Sequence, residues 1–255
     1  MIRTRARFQR VMEDWRRMAV FPPTRHSVIA RMRSADTGTR REAFGDLVTG
    51  YWKPLYKYMR LHWRLSDDEA QESTQAFLSE AFQKEWLEQY EPEKARFRTF
   101  LRLCADRFVM NARQAASRIK RGGAAEVLPL DFPAAEEEMI RHQLAVPADA
   151  EEFFRREFIR ALFERAVAEV RAEYASSGRD VQIALFERYD IEPRDGVSYA
   201  SLAREFGLTT AQVTNYLAQV RRSFRVRALD ALQALCGSRE EFRREARELF
   251  GLEIE

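Results

Sequence analysis

The sequence predicts an all-α protein of two helical domains joined by an acidic linker, on three observations. Apolar residues recur at three- and four-residue spacing through most of the chain. No run alternates apolar and polar residues strongly enough to read as a strand. Between two such helical regions, residues 122–152 carry Pro129, Pro133, Pro147 and the triplet Glu136, Glu137 and Glu138, and apolar residues become sparse. The expected plan is an N-terminal extension over 1–26, a first domain over 27–121, the linker over 122–152, a second domain over 153–236 and an amphipathic extension over 237–255.

Taken in order, Phe8, Val11, Met12, Trp15 and Met18 make a short apolar stripe that Pro22 and Pro23 stop. Glu13 and Asp14 interrupt its basic face, so a helix packed on a core is expected rather than one lying on a membrane. A second short helix is expected from Ser27 to Arg33. From Thr39 to Trp63, Phe44, Leu47, Val48, Tyr51, Trp52, Leu55, Tyr56 and Met59 form the wide stripe of a buried helix, which Pro54 bends or divides. Asp67 to Tyr90 follows as another helix, with Ala70, Phe77, Leu78, Ala81, Phe82 and Leu87 inside. Asp68, Glu72, Gln75 and Ser79 share its polar side, which taken alone reads as a solvated face.

Gln89 to Phe97 is a loop around Pro92, and a helix from Arg98 to Arg121 follows. Its inner residues are Phe100, Leu101, Cys104, Ala105, Phe108 and Val109. Arg96, Arg98, Arg102, Arg107, Arg113, Arg118, Lys120 and Arg121 form a basic track that only Asp106 interrupts. Surfaces that merely confer solubility mix their signs, so this track suits backbone phosphates. A short helix around Ala134 to His142 fits within the linker.

Glu152 to Tyr174 resumes helical spacing through Phe154, Phe158, Leu162, Phe163, Ala166, Val167 and Val170, and Val181 to Tyr189 forms the next helix. The stretch SYASLAREFGLTTAQVTNYLAQVRR, Ser198 to Arg222, then gives two helices broken at Gly207. Ser198 caps the first, with Ser201 where an acidic residue would make a stronger cap, and Thr209 with Gln212 forms a capping box at the start of the second. Val213, Leu217 and Val220 point inward, leaving Thr210, Ala211, Thr214, Asn215, Ala218 and Arg222 on or beside the outer face. This is the pattern of a helix-turn-helix, whose second helix enters the major groove. The short polar side chains suit base edges, and Arg221, Arg222, Arg225 and Arg227 follow where phosphates would pass. The second helix is expected to continue to Leu235. Ser238 and Glu241 then form a further capping box ahead of Phe242, Ala246, Leu249 and Phe250.

Composition narrows the classes. The chain has 255 residues, one third of them charged, with a net charge of only +3, so the placement of the arginines matters more than their sum. Cys104 and Cys236 have no paired spacing, which suits a reduced, cytoplasmic chain. No apolar run is long enough to span a bilayer and the start lacks a secretory h-region, so neither membrane insertion nor export is expected. His26, His62 and His142 have no metal-ligand spacing, and no glycine-rich phosphate loop is present. No cofactor, metal or catalytic residue is expected, and the chain does not read as an enzyme.

Three stretches in this order resemble a family. YWKPLYKYMR with SDDEAQESTQAF, then FRTFLRLCADRFVMNARQAASRIKR, then SYASLAREFGLTTAQVTNYLAQVRRSFR resemble the bacterial RNA polymerase sigma factors of the compact extracytoplasmic-function type, over about Ser27 to Leu232. The resemblance implies a factor that binds core RNA polymerase and directs promoter recognition, DNA opening and transcription initiation. By position, Asp68, Glu72 and Gln75 would meet the polymerase. Phe97, Arg98, Phe100 and Asn111 would receive unpaired bases of the minus-ten element, with Arg102, Arg113 and Lys120 on phosphates. Thr210, Ala211, Thr214, Asn215, Arg221, Arg222 and Arg225 would read the upstream minus-thirty-five duplex. Partners would be core polymerase, promoter DNA both double-stranded and locally single-stranded, and a regulatory protein of the anti-sigma or another kind. Phe100 stands where the family commonly has tryptophan, and both terminal extensions exceed the compact plan. The alternative is a helix-turn-helix repressor or activator, acting on a palindromic duplex without a sigma role.

Overall fold

The computed structural model describes residues 28–83, 86–116, 128–146, 148–192 and 196–254, and among these residues every regular element is helical. The expected N-terminal helix lies outside the described residues. So does the end of the basic helix, including Lys120. The helices are α1 (Val28–Met32), α2 (Thr37–Leu61), α3 (Asp67–Gln83), α4 (Phe97–Ala116), α5 (Phe132–Arg141), α6 (Ala150–Ser176), α7 (Asp180–Phe186), α8 (Tyr199–Phe206), α9 (Thr210–Leu235) and α10 (Arg239–Phe250). A 3₁₀ turn at Trp86–Gln89 follows α3, and a π-helical turn at Glu187–Ile191 extends α7.

The described residues divide into two compact units, one of residues 28–161 and 233–242 and the other of 162–232 and 243–254. This differs from the expected plan, because the divisions fall inside α6, α9 and α10 rather than in the linker. The described part of the linker is not a free tether either. Within it α5 buries Phe132, Ala135 and Met139, and Phe132 packs its ring on Trp52 and Tyr56 of α2. Asp131 caps α5 by accepting the Ala134 N–H at 3.1 Å. Acidic residues suggested solvation, but Glu136 and Glu138 turn toward cations on α2.

In the first unit, α2 is one continuous helix through Pro54, so the expected alternative of a join between two helices is not what forms. Asp36 caps it through the Thr39 N–H at 2.7 Å. Tyr51, Leu55, Tyr56, Tyr58 and Met59 are buried on it, and Tyr51 stacks on Phe158 with ring centroids 4.9 Å apart. Lys57 is also buried, held by Glu138 at 2.5 Å and Glu157 at 3.2 Å. Arg60 pairs with Glu136 at 2.6 Å. Buried charges persist only when paired in this way.

The expected capping box of α10 forms only in part. Glu241 N–H donates to Ser238 Oγ at 3.1 Å. The Glu241 carboxylate, however, passes its own cap and accepts the N–H groups of Gly237 at 2.6 Å and Phe97 at 2.5 Å. Phe97 opens α4, so a carboxylate 144 residues away holds the positive end of that helix dipole.

In the second unit, Phe163, Phe186 and Phe224 form an aromatic core, with Phe250 stacked on Phe163 at 5.6 Å. Val213, Leu217 and Val220 of α9 and Leu202 of α8 are fully buried, as the sequence spacing requires.

Candidate nucleic-acid interface

The geometry of α8 and α9 follows from two caps and one glycine. Ser198 accepts the Ser201 N–H at 3.1 Å while the Ser201 hydroxyl accepts the Ser198 N–H at 2.8 Å, so a serine completes the box that was expected to be weak. Gly207 ends α8 in the left-handed conformation, φ 65°, and donates its N–H to Ala203 O. Thr209 and Gln212 then form the reciprocal box, at 2.8 and 3.2 Å. These local bonds fix where α9 starts and how it is rotated. Thr210, Ala211, Thr214, Asn215, Ala218, Gln219 and Arg222 are all exposed. Six of the seven were expected on or beside that face, and Gln219 joins them.

Arg221 and Arg225 do not join that face. Arg221 donates two bonds to the Asp190 carboxylate at 2.9 and 3.0 Å and a third to Tyr199 Oη at 3.2 Å, with its guanidinium over the Tyr189 ring. Burial works against its charge, but Asp190 more than offsets this and raises its pKa. It therefore ties α9 to the π-helical turn instead of reaching outward. Arg225 is buried, at 4 % exposure, because it lies one turn beyond Arg221 on the inward side of α9.

On α3, Asp68 and Glu72 are exposed as a docking face requires. Gln75 is engaged internally: its amide donates to Leu128 O and accepts the Leu128 N–H, both at 2.8 Å. It fastens the chain that leads into α5.

On α4 the expected base-capturing residues split. Phe97 is 1 % exposed and packs edge-on against Tyr51 and Tyr90. Arg98, 2 % exposed, pairs with Glu151 at 3.0 Å, and Arg102 pairs with both Glu151 and Asp106. Phe100 is half-buried against Tyr90 and Phe97. In this conformation Phe97, Arg98 and Arg102 cannot offer a ring or a guanidinium to a strand, because aromatic and arginine side chains serve a core and a carboxylate equally well. Asn111 and Arg113 are exposed. Arg113 lies over the Trp63 ring, 5.0 Å from its centroid, and donates to Trp63 O at 2.6 Å.

No spacing in the sequence marks a role for Trp63, or for Glu151, which gathers Arg98, Thr99 and Arg102. The one signal was an abrupt helix end at HWRLS with no glycine. Cys104 and Cys236 are free thiols, and burial pushes Cys104 up to about 11, keeping it protonated. Among the described residues no group of His, Cys, Asp or Glu is arranged to hold a metal ion, and no helix is long and apolar enough to cross a membrane.

The fold and face define an all-α chain with a helix-turn-helix. Compared with known proteins, the chain matches no protein family, no curated protein and no solved structure.

Proposed function

We propose that the chain is a sigma-type transcription initiation factor, which binds core RNA polymerase and brings it to promoter DNA. The observation that carries the reading is the outer face of α9. Thr210, Ala211, Thr214 and Asn215 stand exposed at the start of a helix whose rotation is set by caps on both sides of Gly207. Short polar and methyl-bearing side chains there match base edges in a major groove, and Arg222 beyond them matches a phosphate. The exposed carboxylates Asp68 and Glu72 and the exposed Asn111 and Arg113 support the first unit's share of the task. Chemistry would belong to the polymerase, and this chain would supply register and affinity.

Electrophoretic titration on a selected duplex tests the DNA face. Asn215→Ala should change base preference at one position by about 1–3 kcal/mol. Arg222→Ala should weaken all sequences alike and lower the salt slope by about 1. The opposite allocation would reject the docking of α9.

A second reading is favoured by the internal engagement of Phe97, Arg98 and Arg102, which leaves the outer face of α9 as the surface on which that reading rests. It is a helix-turn-helix repressor or activator acting without polymerase. Glu72→Lys distinguishes the two. It weakens association with core polymerase under the first reading and leaves duplex binding unchanged under both.

A further inference from the structure

Residues 128–141, which lead into and through α5, are fastened to α2 and α3 along their whole length. At the entrance, the main chain of Leu128 pairs with the Gln75 amide of α3 in both directions, each bond at 2.8 Å. In the middle, the Phe132 ring packs on Trp52 and Tyr56 of α2, and Ala135 and Met139 are buried on the same face of α5. Glu136 takes two bonds from Arg60, at 2.6 and 3.3 Å, and accepts the Tyr56 hydroxyl. Glu138 accepts from Lys57 and, at 3.3 Å, from Lys53.

The cations and hydroxyl under this strap are provided for without it. Lys57 also holds Glu157 of α6 at 3.2 Å, the Tyr56 hydroxyl also reaches Asp67 of α3, and Arg60 also donates to Leu65 O at 2.7 Å. Lys53 is a quarter exposed, so water can take the place of Glu138 there. Breaking a buried ion pair is most costly when one charge is left without a partner. Withdrawal of α5 strands none of these α2 groups. What keeps the strap down is the apolar contact of Phe132, Ala135 and Met139, a non-directional attraction that another surface can replace.

The strap also reaches the expected docking face. Asp68, Glu72 and Gln75 lie at i, i+4 and i+7 on α3, which is one stripe of a helix. Asp68 and Glu72 are exposed, whereas the Gln75 amide is turned to the main chain of Leu128.

We propose that residues 128–141 are an autoinhibitory strap on the polymerase-docking face. In the free chain the strap holds Gln75, and docking through Asp68, Glu72 and Gln75 proceeds from the minority of molecules in which it has left α2 and α3. This regulation rests on the polymerase-docking reading of α3. When only a fraction of molecules is competent, the apparent dissociation constant is the intrinsic one divided by that fraction. Changes that loosen the strap therefore tighten polymerase binding, until most molecules are open.

The test titrates the fluorescently labelled full chain with purified core polymerase and follows hydrogen exchange of α5 in the free chain. Glu136→Ala removes the pair with Arg60 while alanine favours the helix itself. It should speed exchange across α5 and tighten polymerase binding about fivefold. Phe132→Ala should tighten it by more than about twentyfold. Asp36→Ala removes the cap at the other end of α2 and should give no gain, which separates release of the strap from general loosening. Adding Glu72→Lys to Glu136→Ala should abolish the gain. Unchanged exchange in Glu136→Ala, faster exchange with unchanged or weaker polymerase binding, or an equal gain from Asp36→Ala would each overturn the strap. If Glu72→Lys still weakens binding of the parent chain in those cases, the docking reading stands and the strap alone is rejected. Absence of polymerase binding by the parent and by every variant rejects both.

Discussion

Replacing Glu241 is expected to loosen the start of α4 from a position 144 residues away. Its carboxylate is 1 % exposed and accepts two backbone N–H groups, those of Phe97 and Gly237. A hydrogen bond to a charged acceptor contributes about 1.5–3 kcal/mol, and a buried N–H left without one costs about 1–3 kcal/mol. These overlap rather than add, so Glu241→Ala should destabilise the first unit by roughly 3–5 kcal/mol. Glu241→Gln keeps one acceptor oxygen but sets an amide donor against the second N–H, and should cost about half as much. For a unit of this size each kcal/mol lowers the melting temperature by about 2–4 °C, so Glu241→Ala should lower it by roughly 10 °C. Calorimetry reads the shift, and limited proteolysis should show earlier cleavage near the 89–97 loop. A shift below about 3 °C would refute the reasoning, since it would mean water replaces the carboxylate at both amides.

Three further outcomes follow from the same structure. Arg221→Ala should destabilise the second unit by about 2–3 kcal/mol by removing two charged hydrogen bonds from Asp190 and one to Tyr199, whereas Arg222→Ala should leave the melting temperature unchanged; urea unfolding of both decides whether Arg221 is structural. Gly207→Ala should cost about 1–2 kcal/mol in the same assay, because its φ of 65° is left-handed, and equal stability would contradict the assigned turn. Acidification should loosen α5. Burial, then Arg160, lower the pKa of His142 below its ordinary 6.5, so the unfolded chain binds that proton first and stability present above 6.5 declines as pH falls. Burial raises Glu136, but its bonds to Arg60 and Tyr56 outweigh this and leave it below 4.5, so stability present above 4.5 is lost as pH falls through the folded value. A urea midpoint that rises between about pH 7 and pH 4 would contradict both signs.

What the sequence made legible was local. Thr209 and Gln212, or Val213, Leu217 and Val220, act within one or two helical turns, so spacing alone gives the cap and the inward face. The outer face of α9 follows by subtraction. What stayed hidden depends on distant partners of ordinary type. Arg221 reads as a phosphate ligand until Asp190, 31 residues upstream, is brought against it. Phe97 and Arg98 have the composition of a base-binding pair, but Tyr51, Tyr90 and Glu151 take them inside. The linker looked acidic and solvated because Lys57 and Arg60, to which its carboxylates bind, belong to a helix 76 to 81 positions earlier. The left-handed backbone at Arg64 had no glycine to mark it.

The most direct test of the central claim is reconstituted transcription from a supercoiled promoter library, with purified core polymerase in the presence and absence of the full chain. The account predicts sequence-specific initiation that appears only when the protein is added and is lost with Glu72→Lys. Failure of the polymerase to bind the chain or to gain initiation would contradict it and leave the duplex-binding repressor or activator as the standing reading.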